Sequence, residues 1–126
     1  MPALDAVSHV SLTVTDPARS AAFYNRVLGT ETIFSSADLV VVARGGLMIA
    51  VRTHLDTADQ GFDPSRIGLD HIAFLVPSRS ELEAWHAGLV ANGVTCSEIE
   101  VSPFGLHLNL KDPDNIALEL FVYDPA

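Results

Sequence analysis

Two stretches of this chain follow one plan, and each opens on a histidine. The first runs Ser8-His9-Val10-Ser11-Leu12-Thr13-Val14, then Asp16-Pro17 and a helix-like run ending at Leu28-Gly29. The second runs Asp70-His71-Ile72-Ala73-Phe74-Leu75-Val76, then Ser78 and a helix-like run ending at Asn92-Gly93. Each copy closes with further strand-like runs, the last holding Ala50 in the first copy and Glu119 in the second. The predicted order is strand, helix, then three strands, twice over. A repeat that cannot bury its sheet alone must be covered by another, so duplication constrains the architecture before any residue chemistry is considered.

Strand patterning sharpens this. Val10, Leu12 and Val14 fall on one face of the first strand, predicted over Val7 to Val14, and His9, Ser11 and Thr13 on the other. In the second copy Ile72, Phe74 and Val76 oppose His71, Ala73 and Leu75. Asp16 is a suitable N-cap and Pro17 suits the first helical position, where its missing N–H costs nothing. Ser78 and Ser80 compete as cap of the second helix, Ser80 having capping-box spacing to Glu83. Gly29 and Asn92-Gly93 are stop signals. Arg44-Gly45-Gly46 and Asp112-Pro113-Asp114-Asn115 read as hairpin turns between Leu39 to Ala43 and Leu47 to Arg52, and between Leu106 to Leu110 and Ile116 to Val122. Each helix can cover one sheet face. The face with the histidine needs another partner, which predicts an α+β fold whose two sheets form a curved wall around a cavity.

At 126 residues the chain is read as one domain: module one about 5–53, a polar linker about 54–67, and module two about 68–123. A formal net charge of −9 opposes nucleic acid and anionic membranes as partners. Acidic residues cluster at Asp56, Asp59, Asp63 and Asp70, around the join. No apolar run approaches the ~20 residues of a membrane span. One cysteine, Cys96, and an N-terminus without a basic-apolar leader lead to the expectation of a cytoplasmic protein.

His9, His71 and Glu119 stand at matching places in the repeats and are the predicted metal ligands. Neutral imidazole and carboxylate suit one divalent ion of iron, manganese, nickel, cobalt or zinc. Three protein ligands leave positions open for substrate or water, as a catalytic metal requires. The spacing alone is weak, since no two of the three share a helical turn. Their equivalence in the repeat is what distinguishes them from solvated strand residues.

These stretches, together with Phe23-Tyr24, Leu69-Asp70-His71 and Asp112-Pro113-Asp114-Asn115 through Glu119-Leu120, resemble the vicinal oxygen chelate superfamily over about residues 5 to 123. That superfamily includes glyoxalase I, bleomycin-binding proteins, fosfomycin-inactivating enzymes and extradiol dioxygenases. The resemblance implies paired βαβββ modules, two per chain, around a metal-binding cavity, with His9, His71 and Glu119 on three of four ligand places. The fourth falls on Ala50, a departure from the acidic ligand of glyoxalase I. The extradiol pattern has a tyrosine where Asn109 stands, and a further histidine near Glu100 to Ser102 that this chain lacks. Fosfomycin-modifying enzymes share the three ligands but also carry that tyrosine, and bleomycin binders typically lack the ligands.

By the same resemblance the face holding His107 and Asn109 looks into the cavity, making His107 a candidate general acid or base. Ser11, Arg52, Asn109 and Phe121 are candidate substrate contacts. A homodimer is expected, with His9 of one chain sharing a metal with His71 and Glu119 of the other. The implied function is a metal-dependent lyase, isomerase or dioxygenase acting on a small molecule that chelates the ion through neighbouring oxygens. The alternative is a protein that sequesters a drug or toxin.

Overall fold

The computed structural model describes residues 1–54 and 61–124. Asp56 and Asp59 of the acidic cluster lie outside the described residues. The chain divides into two compact units, Met1–Gln60 and Gly61–Ala126.

In the first unit β1 (Val10–Thr13) leads into α1 (Pro17–Leu28), followed by β2 (Glu31–Ser35), β3 (Leu39–Arg44) and β4 (Leu47–Arg52). The sheet order is β1-β4-β3-β2, with β1 parallel to β4 and the other pairs antiparallel. Asp16 caps α1, its carboxylate accepting the Arg19 amide, and Gly29 ends the helix at φ 70°. Arg44 reaches back from β3 to donate to the Leu28 carbonyl at 2.9 Å, satisfying one of the helix's terminal acceptors. Ala21, Tyr24, Val27 and Leu28 of α1 are buried, as are Leu12, Val40, Val42, Ile49 and Val51 of the sheet. Period-2 alternation puts those five strand residues on one face.

The second unit repeats the plan with β5 (Ile72–Leu75), α2 (Arg79–Ala91), β6 (Glu100–Ser102), β7 (Gly105–Lys111) and β8 (Ala117–Tyr123), in sheet order β5-β8-β7-β6. Ser78, rather than Ser80, caps α2 by accepting the Glu81 amide. Leu82 and Leu89 of α2 and the alternating Leu106, Leu108, Leu110, Leu118, Leu120 and Val122 of the hairpin are buried. Asp112 shapes the β7–β8 turn, its Oδ1 accepting the amides of Asp114 and Ile116 while Asn115 takes φ 63°.

The units agree in register residue for residue. Ser11 faces Ala50 across the parallel pair β1/β4, and Ala73 faces Glu119 across β5/β8. Val41 lies opposite Ala50 as Asn109 lies opposite Glu119, and Leu39 opposite Arg52 as His107 opposite Phe121.

Two expectations need correcting. The first strand starts at Val10 rather than Val7, because its ladder with β4 begins at the Val10–Ile49 pair. His9 and His71 therefore stand immediately before their strands, not within them. The edge strands β2 and β6, placed by no alternation in the sequence, complete the four-stranded sheets. The fold is α+β, two βαβββ units each with one mixed sheet.

Candidate functional site

Burial singles out one carboxylate. Among the described residues the buried polar side chains are Ser20, Thr30, Asp112 and Glu119. Thr30 donates to Asn25 and Asp112 holds its turn, so both have local structural partners. Glu119 has no such turn. Its partners are two histidines, and a buried charge is tolerated only when held in this way.

His71 approaches from ahead of β5, and its Nε2 lies 3.1 Å from Glu119 Oε2. The other ring nitrogen, Nδ1, lies 2.7 Å from Asp70 Oδ1 and donates to that carboxylate. This bond fixes the ring orientation and leaves Nε2 facing the glutamate. His9 has the same local arrangement, with Nδ1 3.0 Å from Ser8 Oγ. In both repeats the residue ahead of the histidine holds Nδ1. Two donors about 2.1 Å from one ion and at right angles stand about 3.0 Å apart. The 3.1 Å separation of His71 Nε2 and Glu119 Oε2 matches that spacing, and nitrogen with carboxylate oxygen is a donor set for a first-row divalent ion. Among the described residues no three His, Cys, Asp or Glu side chains are grouped to hold an ion together.

His107 meets the same glutamate from the neighbouring strand. Its Nδ1 lies 2.5 Å from Glu119 Oε1, and its Nε2 lies 2.5 Å from Ser102 Oγ. The Phe121 ring centroid is 5.1 Å from that of His107. Asn109 stands opposite Glu119, its backbone amide donating to Ser97 Oγ. The second unit thus gathers His71, His107, Asn109 and Phe121 near the buried carboxylate of Glu119. His9, Ser11 and Arg52 belong to the first unit. Ser11 and Arg52 are exposed there, and the Arg52 carbonyl accepts the Val14 amide.

Ser102 and Asp70 were not among the residues singled out from sequence. Asp70 had a visible signal, a hydrogen-bonding side chain directly ahead of each repeated histidine. Ser102 had none, because its approach to His107 depends on the β6–β7 hairpin. Cys96 is half-buried, and burial, aided by Glu98, raises its thiol pKa. It is held as the thiol rather than as a nucleophilic thiolate.

Comparison with known proteins agrees with this architecture. The profile of the Glyoxalase/Bleomycin resistance protein/Dioxygenase superfamily matches residues 6–120. The uncharacterized protein YaeR of Escherichia coli (strain K12) is 30% identical over 129 residues, covering 94% of this chain and 96% of YaeR. The metallothiol transferase FosB of Staphylococcus saprophyticus is 27% identical over 95 residues, which are 75% of this chain and 60% of FosB. A solved glyoxylase/bleomycin resistance protein/dioxygenase domain from Frankia sp. EAN1pec superposes with a TM-score of 0.83 at 34% identity, covering 97% of this chain and all of that one. With its two βαβββ units and a profile match over most of its length, the chain belongs to the Glyoxalase/Bleomycin resistance protein/Dioxygenase superfamily.

Proposed function

We propose that this chain is a divalent-metal-dependent enzyme of the lyase, isomerase or dioxygenase type, acting on a small substrate with two neighbouring metal-binding oxygens. The observation that carries the reading is the buried Glu119, whose Oε2 stands 3.1 Å from a histidine nitrogen oriented by Asp70. His71 and Glu119 would hold the ion, with His9 of the partner subunit in a homodimer as third ligand. An ion so held supplies Lewis acidity toward the substrate oxygens.

The remaining roles fall to the chain. Asp70 keeps the His71 ring from turning, and Glu119 contributes the negative charge that neutral histidines cannot. Phe121 offers an apolar ring beside the carboxylate, and the Asn109 amide can hydrogen-bond a substrate oxygen. Ser11 and Arg52 are the proposed contacts from the first unit, Arg52 for an anionic substrate group. Ala50 stands where Glu119 stands in the other repeat, so the first unit supplies no second carboxylate to move a substrate proton.

That same substitution favours a second reading. On the sheet face of the first unit opposite Val40, Val42 and Ile49, the residues Leu39, Val41 and Ala50 are apolar, which suits a protein that sequesters a small molecule without converting it.

Elemental analysis of protein purified without chelator or metal resin separates the two. The enzyme reading expects about one divalent ion per chain, lost in Glu119→Ala. Failure to take up any of the five candidate ions, even on reconstitution, would overturn it and leave the binding protein.

A further inference from the structure

Both nitrogens of the His107 ring are engaged within hydrogen-bond distance, and the ring packs against Phe121. An ionised Glu119 can only accept, so His107 Nδ1 carries the proton and donates to Oε1. Nε2 is hydrogen-bonded to the Ser102 hydroxyl. Ser102 Oγ in turn accepts the Phe104 amide at 3.2 Å. The bonds form one chain, from the Phe104 amide through Ser102 and His107 to a single oxygen of Glu119.

We infer that Ser102 and His107 are positioning residues for Glu119, committing Oε1 to the protein so that Oε2 alone is presented beside His71. The inference rests on the proposed metal reading, in which Glu119 would then bind through one oxygen. A carboxylate with both oxygens free to rotate offers several binding modes. One tethered by a ring, itself clamped by a hydroxyl and an aromatic neighbour, offers one.

The internal repeat provides an independent observation. In the first unit the position of Glu119 is Ala50, and the position of His107 is Leu39. Where the carboxylate is missing, the group that would orient it is missing too. A histidine present only to stabilise a β-hairpin would have no reason to follow the glutamate.

In this role both His107 ring nitrogens are already engaged, by Glu119 and by Ser102. Using either nitrogen for proton transfer would break a bond that holds Glu119.

Two measurements test this. Long-range proton–nitrogen correlation spectra of the metal-stripped protein should show His107 Nδ1 protonated, and an unprotonated Nδ1 would overturn the assignment. Manganese(II) affinity, followed by the paramagnetic resonance of the free ion, should fall about 10- to 100-fold in His107→Phe. Ser102→Ala should fall less, and His107→Gln, which keeps an amide donor, should recover part of the loss. Unchanged affinity in both His107→Phe and Ser102→Ala, with binding abolished in Glu119→Gln, would overturn the positioning role while leaving the metal reading intact. A wild type that binds no manganese, nickel, cobalt, zinc or iron would instead overturn the metal reading, and the positioning role with it.

Discussion

Gly105 shows how one residue without a side chain sets a polar site two positions away. It opens β7 at φ 155°, and a Cβ there would lie 2.0 Å from the Val122 carbonyl oxygen and 2.9 Å from the Asp124 amide. Backbone rather than a flexible side chain fills that space, so neither can yield cheaply. The close approach keeps β7 tight against β8, the contact across which His107 reaches Glu119. Gly105→Ala should therefore lose about 3 kcal/mol or more in urea unfolding, from the clash and the left-handed backbone together. Equal midpoints for the variant and the wild type would show that the hairpin relaxes freely. The glycine's role was not legible in the sequence, because the crowding comes from β8, seventeen positions further along the chain.

Elements were legible where a local rule decides them. Asp16-Pro17 starts α1 and Gly29 stops it through backbone geometry alone. The continuous apolar runs of β3 and β4 and the alternating leucines of β7 mark strands packed on the core. β2 escaped because all five of its residues, Glu31–Ser35, are exposed, so it has no buried face to impose alternation. β6 has only three residues and owes its place to pairing with β7. Arg44 is a tertiary cap, sixteen residues from the Leu28 carbonyl it satisfies, and no helix-end signal reveals it. Arg44→Ala and Asp16→Ala should each cost about 1 kcal/mol, and the double variant about the sum, since the residues act on opposite ends of α1. Chemical denaturation of the three variants checks both the size and the additivity.

For the whole molecule, His71 and Glu119 were legible in the sequence as members of one candidate site, and the structure brings these two together. The site's internal wiring was not legible. His71 and Glu119 are forty-eight positions apart in sequence, and only the parallel pairing of β5 with β8 brings their side chains within 3.1 Å. The net charge of −9 provides a field that gathers cations. If the proposed ion binds the folded chain and not the unfolded one, loading should raise the unfolding free energy by about 2.7 kcal/mol at a hundredfold excess over Kd. Thermal melts with and without chelator should separate for the wild type and coincide for Glu119→Ala. Superimposed wild-type curves at saturating metal would count against the ion being bound by the native fold.

The register shared by the two sheets has a practical consequence. Leu39, Val41 and Ala50 lie at the same register positions as His107, Asn109 and Glu119, with apolar side chains in place of polar ones. Signals common to both registers report the shared scaffold, and signals confined to the second report the polar cluster around Glu119. A duplicated strand pattern thereby becomes an internal reference, with the polar and the apolar version of one register synthesised in a single polypeptide.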